Sequence, residues 1–211
     1  MIMKRPTLVS PEALSAAASF ASSDSRRHAL CGVLVSADGS LSATDGMRAV
    51  RMRPQYSERE REEHPSALPT GHHEPDPVLI PRESALKFPK TAKALKGRLP
   101  LLRAIAVSSN AESVTLQATN LDSTVRDDFR PSDAQFPSLE SVWPTGDPVL
   151  SIGFDPAMFA EVLKALSTLA DGHNGHVRMD FFGPLKPVRV TLSNGAAEAL
   201  VMPMQMPEVK P

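Results

Sequence analysis

The sequence predicts an α+β protein assembled from repeated strand-helix-strand units, and three observations predict it. A short β-rich run meets a proline able to open a helix at Thr7-Leu8-Val9-Ser10-Pro11, at Val78-Leu79-Ile80-Pro81 and at Leu150-Ser151-Ile152-Gly153-Phe154-Asp155-Pro156. Pro11, Pro81 and Pro156 recur at intervals of 70 and 75 residues. Each is followed by a helix-compatible stretch and then by alternating or apolar runs that read as strands. With 211 residues, 41% of them hydrophobic, the chain is long enough for one or two ordinary cores.

In the first unit Ser10 is placed to cap a helix, Pro11 to occupy its first position and Glu12 to sit in its first turn. Leu14, Ala17, Ala18 and Ala21 recur at helical spacing. Leu30 to Val35, a turn at Asp38-Gly39 and Ser40 to Thr44 read as a hairpin, and Met47 to Met52 as a further strand. Pro54 to Pro77 collects five prolines and the run Glu58-Arg59-Glu60-Arg61-Glu62-Glu63, which predicts an exposed, mobile loop. The second unit predicts a helix from Pro81 to Lys96, kinked or split by Pro89. Its polar side is basic, with Arg82, Lys87, Lys90, Lys93 and Lys96 followed by Arg98 and Arg103. Strands are expected near 104–108, 113–118 and 123–129. The third unit opens with Asp155 as cap and Pro156 behind it. Met158, Phe159, Val162, Leu163, Leu166 and Leu169 then form a stripe that reads as core. Val177 to Phe181 and Val188 to Leu192 follow as strands, with a turn at Ser193-Asn194-Gly195.

Composition excludes several function classes. A net charge of -1 gives no global attraction to phosphate, so nucleic-acid binding would need local clusters of Lys and Arg. No apolar run reaches the roughly 20 residues of a membrane span, and the first residues lack the apolar core of a signal peptide, so the expected location is the cytoplasm. The lone Cys31 has no internal disulfide partner and reads as a small buried thiol. His72, His73, Glu74 and Asp76 have metal-ligating side chains, but adjacent ligands match no closed tetrahedral spacing, so no metal and no other cofactor are expected. The chain has no phosphate-binding Gly-rich loop and no nucleophile motif in context, and an enzyme is not expected.

Two segments nevertheless match a known pattern. Ala43-Thr44-Asp45-Gly46-Met47-Arg48 resembles the Ala-Thr-Asp-Gly-x-Arg run in the middle domain of the bacterial β sliding clamp family, the processivity subunit of DNA polymerase III. Leu200-Val201-Met202-Pro203-Met204 resembles the Val-Met-Pro-Met ending of that family's last domain. Between them Val78-Leu79-Ile80-Pro81-Arg82, Phe136-Pro137 with Val142 and Pro144, and Ile152-Gly153-Phe154 are similar to further clamp segments in the family's order. The resemblance covers the chain except 54–77. It implies the DNA clamp fold, with a complete two-unit domain over 1–145 and a half domain over 146–211. The family's three domains of two units each are thereby shortened.

The resemblance further implies a non-enzymatic scaffold that encircles duplex DNA without reading its sequence and tethers polymerase or repair proteins through short linear motifs. Lys87, Lys90, Lys93, Lys96 and Arg82 become DNA-facing candidates, with Arg26 and Arg27. The family's peptide pocket, carried over residue by residue, falls on Leu30, Thr44, Gly46, Arg48, Ala49, Pro137, Val142, Leu200, Met202, Pro203 and Met204. Met47, Ala49 and Gln205 depart from the family's usual residues there. A clamp loader is a further candidate partner. A family ring holds twelve units, so three units per chain imply a homotetramer. The alternative is a clamp-derived regulator that binds clamp-interacting peptides or a host clamp without encircling DNA.

Overall fold

The helices begin directly after a short extended run, at a Ser or Asp that caps them or, in one case, at a proline that makes no side-chain cap. A computed structural model describes residues 6–65, 77–95, 99–110, 112–170 and 175–205. After strand β1 (Thr7–Val9), Ser10 Oγ accepts from Ala13 N at 3.0 Å and Pro11 opens α1 (Pro11–Ala18), with Glu12 in the first turn. Strands β2 (Gly32–Val35), β3 (Leu41–Thr44) and β4 (Ala49–Met52) follow, then a short helix α2 (Glu58–Glu63). The order then repeats as β5 (Val78–Pro81), α3 (Arg82–Ala94), β6 (Ile105–Ser109), β7 (Val114–Thr119) and β8 (Thr124–Phe129). A third pass gives α4 (Pro156–Ser167), capped by Asp155 Oδ1 on Met158 N at 2.8 Å, then β9 (Val177–Asp180), β10 (Val188–Leu192) and β11 (Glu198–Val201).

The chain divides into two compact units, Met1–Trp143 and Pro144–Pro211. In the first, the sheets run β1-β6-β7-β8 and β4-β3-β2-β5. Each half therefore lends its leading strand to the sheet of the other: β1 pairs antiparallel with β6, Val9 opposite Ile105, and β5 with β2, Ile80 opposite Val33. Sequence alternation becomes a shared core because strand neighbours point to opposite faces. Val9, Val33, Val35, Leu41, Ile80, Ile105, Val107 and Leu116 point inward against Leu14, Ala17 and Ala18 of α1 and Ala85, Phe88 and Ala92 of α3.

Three expectations need correction here. Pro89 does not split its helix: α3 is continuous through it, and Pro89 is buried on the core face, where ring packing offsets the missing backbone donor. The segment after Pro54 is not loop throughout. Ser57 and Glu60 cap each other's backbone in a reciprocal box that starts α2, Tyr56 packs on the cluster of Leu8, Ala104 and Ala106, and His64 is 2% exposed. The candidate ligands His72, His73, Glu74 and Asp76 lie outside the described residues. Cys31 is half-buried, its thiol donating to the Asp24 carbonyl at 2.9 Å.

The second unit has one sheet, ordered β11-β10-β9, with α4 against it. Its expected core stripe is only partly closed. Leu166 is buried, Phe159, Val162 and Leu163 are half-exposed, and Met158 and Leu169 are 48% and 51% exposed. The cause is topological, since the described residues of this unit contain one helix where those of the first unit pack two.

One turn recurs in each half of the first unit and again in the second unit, and it ties sheet to helix. Arg48, after the β3–β4 turn, donates through Nη2 to Ser19 O at the end of α1, at 2.9 Å. Asn120 Nδ2, in the β7–β8 turn, donates to Leu95 O at the end of α3, at 2.7 Å, and Asn194 Nδ2, after β10, to Leu169 O just past α4, at 3.1 Å. The last carbonyls of a helix lack internal partners, so each bond satisfies a group that folding would otherwise leave open.

Two outcomes follow. Leu116→Ala removes a fully buried side chain shared by both halves and should lower unfolding free energy by about 2–5 kcal/mol in urea titration, whereas exposed Leu200→Ala should change it by less than about 0.5 kcal/mol. Burial pushes the His64 imidazole down to about 4. The unfolded chain, with an ordinary histidine near 6.5, binds more protons between those values, so stability should fall as pH drops through that window. Urea midpoints of the His64→Gln variant should decline less than the parent's from pH 7 to pH 4.5.

Candidate functional site

The helix pair α1 and α3 packs its apolar sides on the two sheets, which leaves the opposite side of α3 to its lysines. Lys87, Lys90 and Lys93 are all exposed on it. Two of them have acidic neighbours: Lys87 Nζ lies 3.5 Å from Glu83 and Lys93 Nζ 3.0 Å from Glu12, across the two helices. That contact with Lys93 holds the Glu12 carboxyl below its usual range, with its own backbone amide helping, so the pair stays charged at neutral pH. Lys90 has no carboxylate within ion-pair distance among the described residues. Arg82 is half-buried, its Nε shielded and without a hydrogen-bond partner among the described residues. Lys96 lies outside the described residues. Arg103, exposed at the end of a 3-10 turn, adds positive charge beside Glu12.

Arg26 and Arg27 behave differently. Arg26 makes two parallel bonds to Asp24, Nε to Oδ1 and Nη2 to Oδ2, both at 3.0 Å. Arg27 donates to the Asp45 carbonyl at 3.0 Å and so braces the β3–β4 turn. That turn gathers several of the residues singled out by sequence. Thr44 is buried, its hydroxyl donating to Arg48 O at 2.8 Å and accepting from Gly46 N at 3.0 Å. Gly46 has φ +89, a left-handed conformation that glycine adopts without a Cβ penalty, and an added Cβ would lie 3.3 Å from Arg27 Nη1 and 3.8 Å from Leu30. The Arg48 guanidinium beside Asp45, with the amides of Met47 and Arg48, holds that carboxyl well below the usual range, at about 2. Leu30, Thr44, Gly46 and Arg48 are therefore one braced cluster, and Ala49 follows directly as the first residue of β4. Met47 projects at the tip, 93% exposed.

Pro137 belongs to a separate place. The segment 135–143 crosses the outer face of β2, β3 and β4, the side away from the core, and encloses a groove of about 730 Å³. Pro137 lines it together with Leu34, Ser42 and Arg51. Arg51 is what fixes the segment: its guanidinium lies 4.7 Å over the Trp143 ring and 3.1 Å from Glu140. Arg51, Glu140 and Trp143 escaped the sequence analysis. The available signal was alternation, since Leu34, Ser42 and Arg51 are the outward partners of an inward apolar set. Val142, at the end of this segment, is exposed.

In the second unit the tail leaves β11 and bridges back to the leading segment, with Met204 N donating to Gly153 O at 2.8 Å. Leu200, Met202 and Met204 are exposed and Pro203 is half-buried. Three large apolar side chains in five residues form a flexible, polarizable surface suited to varied apolar partners. Among the described residues no group of three or more His, Cys, Asp or Glu is arranged to hold a metal, and no helix is long and apolar enough to cross a membrane.

No protein-family model and no curated protein matches this sequence. Solved structures do. The β sliding clamp of Caulobacter crescentus matches with a TM-score of 0.64 at 16% identity, over 94% of this chain and 50% of that one. The DNA polymerase III β subunit of Pseudomonas aeruginosa gives 0.65 at 17% identity, over 96% and 52%. The sliding clamp of Bartonella birtlesii, solved with griselimycin bound, gives 0.62 at 18% identity, over 99% and 53%. This chain thus spans about half the length of the clamps it resembles. Two exchanged-strand sheets behind a helix pair, followed by a further helix and sheet of the same order, are the fold of the bacterial β sliding clamp over about half of that clamp's length.

Proposed function

We propose that this protein is a non-enzymatic DNA sliding clamp: several copies enclose duplex DNA, and the enclosed complex tethers polymerase or repair proteins. The observation that carries this reading is the clamp fold itself, matched over nearly the whole chain. The α3 lysines support it chemically. Duplex DNA carries a phosphate charge about every 1.7 Å of axis, and flexible exposed ammonium groups attract that charge without reading bases. The acids Glu83 and Glu12 moderate the attraction, which suits a surface that must slide rather than dock. The exposed methionines of the tail supply apolar anchor surface for short linear motifs. A homotetramer provides the twelve units of a closed ring.

A closed ring should remain on circular DNA and leave a linear fragment with free ends; equal retention on both forms would sink the proposal. Lys87, Lys90 and Lys93 exchanged together for Gln should weaken association with DNA at low salt and flatten its salt dependence by about one unit of slope for each phosphate no longer neutralised. An unchanged slope would remove α3 from the DNA surface.

For the tail, Met202→Ala combined with Met204→Ala should reduce binding of a fluorescent clamp-binding peptide at least tenfold while the particle mass stays constant, since truncating exposed apolar anchors that a bound peptide covers costs more than about 1 kcal/mol each. Unaltered affinity would make the tail purely structural.

A further inference from the structure

We propose that the second unit, 144–211, is completed by the same unit of a second copy of this chain, through reciprocal exchange of residues 152–154 and packing of α4 on its twofold mate. The inference rests on the clamp reading, and the first unit supplies its template.

The template is read through the recurrent turn. Asn120 bonds to Leu95 O and Asn194 to Leu169 O, which aligns the end of α3 with the end of α4. The same alignment sets Asp155 against Pro81, the residues capping the two helices, and sets Phe159, Val162, Leu163 and Leu166 against Ala85, Phe88, Pro89 and Ala92. All four α3 positions are buried, in a core shared with α1. Of their α4 counterparts only Leu166 is buried. The stripe is therefore prepared for a second helix that the described residues of its own unit do not contain.

The strands carry an independent sign. In the first unit Ile80 and Val78 lie opposite Val33 and Val35, and Val9 and Thr7 opposite Ile105 and Val107. Their counterparts in the second unit are Phe154 and Ile152, and the receiving strand is β9, which forms an open edge beside β10. Backbone groups alternate direction along a strand. Gly153 is bonded to Met204, so Ile152 and Phe154 direct theirs to the other side, where neither has a backbone partner among the described residues. An open edge and an unpaired leading segment in one unit are mutual complements: Phe154 falls opposite Val177 of the second copy and Ile152 opposite Met179. Unpaired edges of this kind are sites of strand addition.

A second copy fits because the two halves of the first unit are already related in this reciprocal way, and a twofold contact between identical halves satisfies both at once. Charge agrees. Lys93 meets Glu12, which aligns with Glu83, so the local twofold passes beside Phe88, and its counterpart is Val162. Twofold apposition about Val162 brings Glu161 of one helix to within one residue of the level of Lys164 of the other, opposite charges in both directions.

Cross-linking tests the contact directly. In full-length protein with Cys31→Ser, Val162→Cys places a thiol beside the twofold, and a short bis-maleimide should convert it to covalent dimer at least tenfold more than Leu185→Cys on the exposed β9–β10 connection. Native mass spectrometry at micromolar concentration should show even multiples of the 22.7 kDa chain. Val162→Glu, with unchanged circular dichroism, should halve the particle. A monomer without cross-linking overturns the proposal and means that a different chain completes the unit. Multimers that fail to cross-link through Val162→Cys also overturn it, yet leave the clamp reading intact, because retention on circular DNA is measured separately.

Discussion

Everything in this molecule depends on one constraint: the leading strand of a half cannot close the sheet of its own half. The helix starts directly after that strand, at Pro11 or Arg82, so the chain must turn away from the sheet plane before its remaining strands are made. The strand is left beside the neighbour's sheet and extends it, β1 onto β6 and β5 onto β2. A half is therefore a poor folding unit and a pair of halves a good one, since only the pair removes the edges of β2 and β6 from water and buries both helices over a continuous core. Val9 and Ile80, each fully buried in the other half's sheet, are the direct expression of this dependence.

The turn beyond the second and third strands of each half solves a different problem, that of fixing a helix end over a sheet without a glycine cap. Two chemistries from three residues each reach a carbonyl at a helix end: a guanidinium from Arg48, and side-chain amides from Asn120 and Asn194. The backbone is arranged to allow it, with Gly46 at φ +89 and Leu121 at φ +79 in the corresponding place. A leucine in the left-handed region costs about 1–2 kcal/mol relative to glycine. The bond that Asn120 Nδ2 donates to Leu95 O and those that its Oδ1 accepts from the amides of Asp122 and Ser123 oppose that cost and hold the turn in shape. The Asp45 and Arg48 pair is thus part of a structural brace, and Arg48 has only its remaining exposed surface to offer a partner.

What the sequence made legible were the features whose cause is local. Pro11, Asp155 and Ser10 announce helix starts because caps and fixed φ act within four residues, and the strands at 105–109, 114–119 and 124–129 follow from alternation against turns. Features that depend on distant residues were hidden. Pro89 reads as a breaker until Ala85, Phe88 and Ala92 are known to face a core around it. Glu58–Glu63 reads as solvated charge until Ser57 and Tyr56 are seen to fix its start and anchor it. The α4 stripe reads as closed core because periodicity reports which face is apolar and says nothing of whether a second helix is there to cover it. Of the candidate site, the basic side of α3 and the apolar tail were visible as composition. The groove walled by Arg51 and Trp143 was not, since it forms between a sheet face and a segment far away in the chain, 92 positions separating those two residues.

The electrostatics of the helix pair separate binding from holding. The described lysines of α3 sit with Glu83 and Glu12 on the same surface, and the whole chain carries a net charge of -1. Such a surface cannot retain DNA by charge alone at physiological salt, where exposed charges are screened within about 8 Å and each ammonium group releases only the counterions of the phosphates it meets. On the proposed clamp reading, retention comes from topology, a closed path of protein around the duplex, and weak local attraction becomes an advantage because it leaves the duplex free to move. Closure in turn requires that every half find its complement. On the same reading, the apolar stripe of α4 and the open edge of β9 bear on function through assembly, far more than any single lysine does.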